Sequence, residues 1–136
     1  MPETTLIRDD FYEEMASEYQ CILIHLLNTT LKEQGIGDLE TRRAVCEKFL
    51  FGMSNFHDQY WMESDGNRVY PMLCFSSEFL DSDTDVNQLG KVHAPSEMFE
   101  LHEHAFGNVA WYFDDNDESA SELAFGMVRD NGQSIG

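Results

Sequence analysis

Gln34-Gly35-Ile36-Gly37-Asp38 divides the first half of the chain into two helices, and that division decides the fold. Gly35 suits the left-handed position that ends a helix, and Ile36 supplies the hydrophobic contact that commonly follows it. Asp38 is a favourable N-cap for the next helix. Upstream, Phe11, Met15, Tyr19, Ile22 and Leu26 recur every three or four positions, and Tyr12, Leu23, Leu27 and Leu31 widen the stripe. This spacing predicts a helix from Asp9 or Asp10 to Gln34. Asp9, Asp10, Glu13 and Glu14 crowd its start, where the helix dipole favours negative charge. Downstream, Val45, Phe49, Met53, Phe56 and Tyr60 form the stripe of a second helix reaching about His57. The short link Gly35-Ile36-Gly37 makes an antiparallel helical hairpin the natural geometry.

Past the second helix the pattern changes. Asp65-Gly66 is a preferred centre for a two-residue β-turn, and it is flanked by Tyr60-Trp61-Met62 and Arg68-Val69-Tyr70. A β-hairpin is predicted, with strands near 60–64 and 67–76, and Pro71, lacking an amide donor, marks an edge or bulge. A polar loop runs from Asp81 to about Pro95. Segment 96–113 is ambiguous. Phe99, His102, Phe106, Val109 and Phe113 follow helical spacing, whereas Gly107-Asn108 interrupts it and Val109, Trp111 and Phe113 alternate as in a strand. A small sheet needs a third strand. The reading adopted is therefore a short helix or turn up to 106 and a strand near 109–114. An amphipathic turn or two around 119–128 and a loose tail at 131–136 finish the chain. The expected fold class is α+β: an N-terminal antiparallel helical hairpin packed on a small antiparallel sheet, with one or two short C-terminal helices. A single domain is expected over 1–130.

Composition narrows the functional classes. The 136 residues include ten Phe, five Tyr and two Trp, enough for an aromatic core. Acids outnumber bases 26 to 8, a formal net charge of −18. Residues 1–62 hold 11 acids and 5 bases, leaving 15 and 3 for 63–136, so the second half carries most of the charge. Such a field repels nucleic acid and anionic lipid and attracts basic proteins or divalent cations. Cys21, Cys46 and Cys74 form no Cys-x-x-Cys and sit in apolar runs, which suits reduced core thiols. No apolar run is long enough for a membrane span, no signal core opens the chain, and a cytoplasmic setting is expected.

Candidate sites follow from residue type and spacing. Asp81, Asp83, Asp85 and Asn87 imitate the front of a calcium loop, but Val86 and Val92 occupy the positions that require Gly and Glu. Asp114, Asp115 and Asp117 form a second acidic cluster with the same defect. His102-Glu103-His104 could place two imidazoles on one ion if the segment is a strand, with His57, Asp58 or His93 completing the set. On a helix residues two apart diverge by about 200°. Arg42-Arg43, near the start of the second helix, is the only basic pair and a candidate anion site. The simpler reading is local pairing of Asp38 with Arg42 and of Arg43 with Glu47. Gly-x-Ser-x-Gly, phosphate-loop and dinucleotide signatures are missing, and apolar surroundings disfavour a thiolate at Cys46 or Cys74.

Two functions are consistent with these features. One is a non-enzymatic acidic interaction domain that binds a basic protein partner in an inhibitor, immunity-type or charge-mimic role. Its contact surface would combine Asp81, Asp83, Asp85, Asp114, Asp115 and Asp117 with aromatic anchors such as Trp111. The alternative is a divalent-metal-binding protein or metal-dependent enzyme built on the His-x-His pair. No other cofactor is expected.

Overall fold

At Gly35 (φ +88°) the amide of Gly35 bonds Lys32 O and that of Ile36 bonds Leu31 O, the paired closure that ends a helix in a left-handed residue. The computed structural model describes residues 3–97 and 99–115. Helix α1 spans Asp10–Glu33 and α2 spans Leu39–Gln59. Facing pairs run in opposite senses: Asn28 meets Arg42, Ile24 meets Cys46 and Gln20 meets Ser54, so the two helices form an antiparallel hairpin as expected. Asp9 caps α1 through the amide of Tyr12. Asp38 occupies the N-cap position of α2, but its carboxylate takes the hydroxyl of Thr41.

The remainder is an α+β arrangement. Strands β2 (Met62–Ser64) and β3 (Asn67–Val69) pair antiparallel around Asp65 (φ 50°) and Gly66 (φ 79°). Positive φ at both central residues is what an Asp-Gly hairpin turn requires. The second strand of this hairpin stops at Val69 instead of reaching 76, because Pro71 cannot donate to a ladder. The chain pairs again at β4 (Phe75–Ser76), which belongs to a different sheet. There β5 (Lys91–Ala94) lies centrally, antiparallel to β4 and parallel to β1 (Thr5–Arg8). The sheet is thus mixed, and the predicted polar loop ends in its central strand.

Residues 101–115 differ from expectation. The strand predicted near 109–114 is helical: α3 spans Leu101–Ala110 and continues into a π-turn at Trp111–Asp115. Leu101, Ala105, Val109 and Tyr112 are buried at helical spacing. Asn108, read as a breaker, accepts from Ser17 Oγ (3.1 Å) and donates to Gln20 Oε1 (2.6 Å), so its polarity is consumed inside the helix packing. The amphipathic turn at 119–128 and the tail at 131–136 lie outside the described residues.

The buried faces of α1 and α2 sit one position away from the predicted stripes. Tyr12, Ala16, Gln20, Ile24 and Asn28 face inward on α1, and Arg42, Cys46, Leu50 and Ser54 on α2. Phe11, Leu26, Val45 and Phe49 are exposed. One apolar cluster joins Cys21, Ile24, Cys46, Leu50, Ala105, Val109 and Tyr112, and a smaller one joins Tyr12, Ala16 and Leu101. No helix among the described residues is long and apolar enough to cross a membrane.

Candidate functional site

The start of α3 lacks a local cap. Glu100 holds the N-cap position without a capping hydrogen bond, and the first amides of a helix have no partner within it. The partner comes from the end of α2. Asp58 Oδ1 accepts from the Leu101 amide (2.9 Å), and Asp58 Oδ2 accepts from the His102 amide (2.7 Å) and from His102 Nδ1 (2.5 Å). An anionic acceptor is also favoured at a helix N-terminus by the dipole. With Nδ1 held, Nε2 of His102 points toward Glu100, 3.4 Å from its Oε2. Phe51 packs edge-on against the imidazole at 5.7 Å and fixes its plane. Ligand atoms of Glu100, His102 and Glu103 lie within 4.8 Å of one another.

A cavity of about 150 Å³ adjoins this node. Tyr12, His57, Asp58, Leu73, Phe99 and Leu101 are among its lining residues. The Tyr12 hydroxyl donates to Leu73 O (3.0 Å), and burial, with Cys74 and Asp58 nearby, pushes its pKa up to about 12. Nδ1 of His57 is buried without a hydrogen-bond partner among the described residues.

Of the predicted metal residues, His102 therefore meets Asp58, His57 lies beside Asp58 on the cavity wall, and His104 joins neither. A shared face for the pair required a strand; on the helix His104 turns away and stacks on Phe99 at 4.8 Å and 17°. His93 is elsewhere, on β5, bonded through Nδ1 to Asp9 Oδ1 at 2.9 Å. The predicted anion pair is also divided. Arg42 is buried and donates to Asn28 Oδ1 (2.8 Å) and Ile36 O (3.0 Å). Arg43 pairs with Glu47, as the helical spacing predicts, and with Asp114 across the fold. Both guanidinium groups thus have partners within the chain. Tyr12, Glu100 and Glu103 were missed. Glu-x-His-Glu was a local signal for the last two, but Tyr12 meets the site only through the fold.

The predicted partner-binding residues are dispersed. Asp81 Oδ1 accepts from Thr84 Oγ1 (2.7 Å) and the Asp83 amide (2.9 Å), which holds its carboxyl below the usual range. Asp85 caps a short 3-10 turn, Val86–Gln88, through the Asn87 amide. The acidic loop is thus ordered by its own side chains. Asp114 belongs to the Arg43 pair, Asp115 ends the π-turn, and Asp117 lies outside the described residues. Trp111 is half-buried beside the helical core and, with Glu14 and Glu18, lines an open groove of about 640 Å³ between α1 and α3.

The β2–β3 arm is an exposed apolar segment. Every residue from 59 to 70 is exposed, and Tyr60, Trp61, Met62, Val69 and Tyr70 are among them. Trp61 lies 6.2 Å from Tyr70, with the Arg68 guanidinium 4.1 Å over its ring. Comparison with family models, curated proteins and solved structures finds no match.

Proposed function

We propose that this chain is a non-enzymatic acidic interaction domain whose β2–β3 arm and following loop receive a basic protein partner. The observation that carries the reading is the unbroken exposure of residues 59–70 with five large apolar side chains. A two-stranded hairpin alone is marginally stable in water, and exposed aromatic clusters are typical interface anchors. Segment 59–88 holds six acids (Glu63, Asp65, Glu78, Asp81, Asp83, Asp85) against one base, Arg68. That charge steers a basic surface toward the arm and disfavours nucleic acid. The probe is a set of fluorescent lysine- and arginine-rich peptides with and without a central Leu or Trp. Anchored basic peptides should bind, weaken as salt rises, and lose affinity at least tenfold with Trp61→Ala/Tyr70→Ala, a cost of ~1.4 kcal/mol or more. Equal binding by that variant would remove the arm from the reading.

A second reading is favoured by the start of α3, namely a divalent-metal site formed by Glu100, His102 and Glu103. The 3.4 Å between His102 Nε2 and Glu100 Oε2 is the edge of a tetrahedron with metal–ligand bonds of about 2.0–2.1 Å. Asp58 on Nδ1 is the carboxylate that commonly orients a ligating imidazole. Metal analysis and melting with and without chelator test it. Unchanged melting with added Zn²⁺, and no difference between wild type and His102→Ala, would dismiss it.

A further inference from the structure

The cavity beside Asp58 is separate from the exposed arm and shares only Asp58 with the metal reading, and its chemistry is selective. Its volume of about 150 Å³ matches a ligand of about six heavy atoms, the size of benzene. Pro71, Pro95 and Phe99 contribute flat apolar walls. The polar groups are mainly acceptors. An ionised carboxylate offers about four acceptor positions, and the two amides and the imidazole occupy three of them on Asp58. Tyr12 has committed its proton to Leu73 O, which leaves its oxygen to accept. His57 Nδ1 is buried and unpartnered among the described residues, and it accepts when the ring carries its proton on Nε2.

A small apolar slot that presents a carboxylate and further acceptors opposes anions and matches a planar, donor-rich cation. Ammonium is compact and strongly hydrated, whereas guanidinium is flat, more weakly hydrated and stacks on aromatic faces. We propose that this cavity binds a guanidinium-class cation, either a free small guanidine or the head of an arginine side chain.

The test is an NMR titration of the full chain, following the His57 and Phe99 ring signals at constant ionic strength. The probes are methylguanidine, a capped Gly-Arg-Gly peptide, phenol and acetate. Methylguanidine should give saturable shifts in the millimolar range that acetate and phenol do not reproduce. The same response to the capped peptide identifies an arginine side chain as an occupant, whereas its absence restricts the site to free guanidines. His57→Phe, which fills the slot, should weaken methylguanidine at least tenfold. Met72→Trp, altering an exposed lining residue, should weaken it while leaving the core intact. Saturation by phenol at equal or lower concentration would overturn the assignment. So would the lack of a saturable response, or binding unchanged in both folded variants. The arm variant Trp61→Ala/Tyr70→Ala should retain methylguanidine binding, so failure at one site does not mimic failure at the other.

Discussion

Replacing Asp58 with Ala removes three hydrogen bonds at one stroke and leaves the first two amides of α3 without their cap. Loss of an N-cap costs about 0.5–2 kcal/mol, and hydrogen bonds to charged groups contribute about 1.5–3 kcal/mol each. These terms overlap, so about 3 kcal/mol is expected for Asp58→Ala. For a chain of this length each kcal/mol moves Tm by about 3–5 °C, giving a fall of roughly 10–15 °C. Asp58→Asn keeps one acceptor oxygen but loses the charge, and should cost about half as much. His102→Ala leaves both amide bonds in place and should cost about 1.5 kcal/mol. Thermal melts supply the three values, and the double variant supplies a coupling of about 1 kcal/mol between Asp58 and His102. Amide exchange locates the effect, with protection falling first at the start of α3. A decrease in Tm below about 3 °C for Asp58→Ala, with exchange at 101–103 unchanged, would refute the cross-helix cap.

Gln20→Leu should destabilise by about 2–4 kcal/mol in chemical denaturation, since it orphans Ser54, Leu101 O and Asn108 inside the helix packing; a neutral result would show that the network is not formed. Alkaline melts should fall progressively above pH 9. Burial raises Cys21 and Cys46 from 9.0 to about 11 and Tyr12 from 10.0 to about 12, so the folded state favours their protonated forms. Their contribution is complete below the unfolded values and lost as pH rises through the folded ones; melts that stay level to pH 11 would contradict this. Iodoacetamide near neutral pH should label the half-buried Cys74 before the buried Cys21 and Cys46, and mass spectrometry should find all three labelled after unfolding. Equal native rates would place the thiols elsewhere.

Legibility of the sequence depended on how local the determining interaction is. The left-handed ending at Gly35 and the Asp-Gly turn are encoded within six residues each, and both form as read. The parallel pairing of Thr5–Arg8 with Lys91–Ala94 joins segments far apart in the chain, and neither carries a strand pattern of its own. The helix faces were displaced for a different reason. Gln20, Asn28, Arg42 and Ser54 are buried, so a stripe drawn through the most hydrophobic residues selects a neighbouring face. The same error governed 109–114, where Asn108 was taken as a break although it is bonded to Ser17 and Gln20. Only a strand through 102–104 would put His102 and His104 on one face. The helix separates them and delivers His102 to Asp58 instead.

These buried polar groups connect the fold to the surface it leaves exposed. One chain links Ser17, Asn108, Gln20 and Ser54 across all three helices, and another links His25, Tyr112, Asn28 and Arg42 across α1, α2 and the π-turn. Satisfied networks of this kind fix the rotation of each helix, because any slip leaves buried groups unpaired. The rotation they fix turns Val45 and Phe49 of α2, and Phe106 of α3, toward solvent, in addition to the aromatic arm. Apolar surface on this scale invites association, and a high net charge opposes indiscriminate association. A charge spread only for solubility would protect the α2 face and the arm alike. Yet α2 brings Lys48 beside Val45 and Phe49, whereas the arm and its loop carry six acids against one base. The exposed aromatic arm and the loop that follows it thus carry an acidic balance that the exposed α2 face lacks.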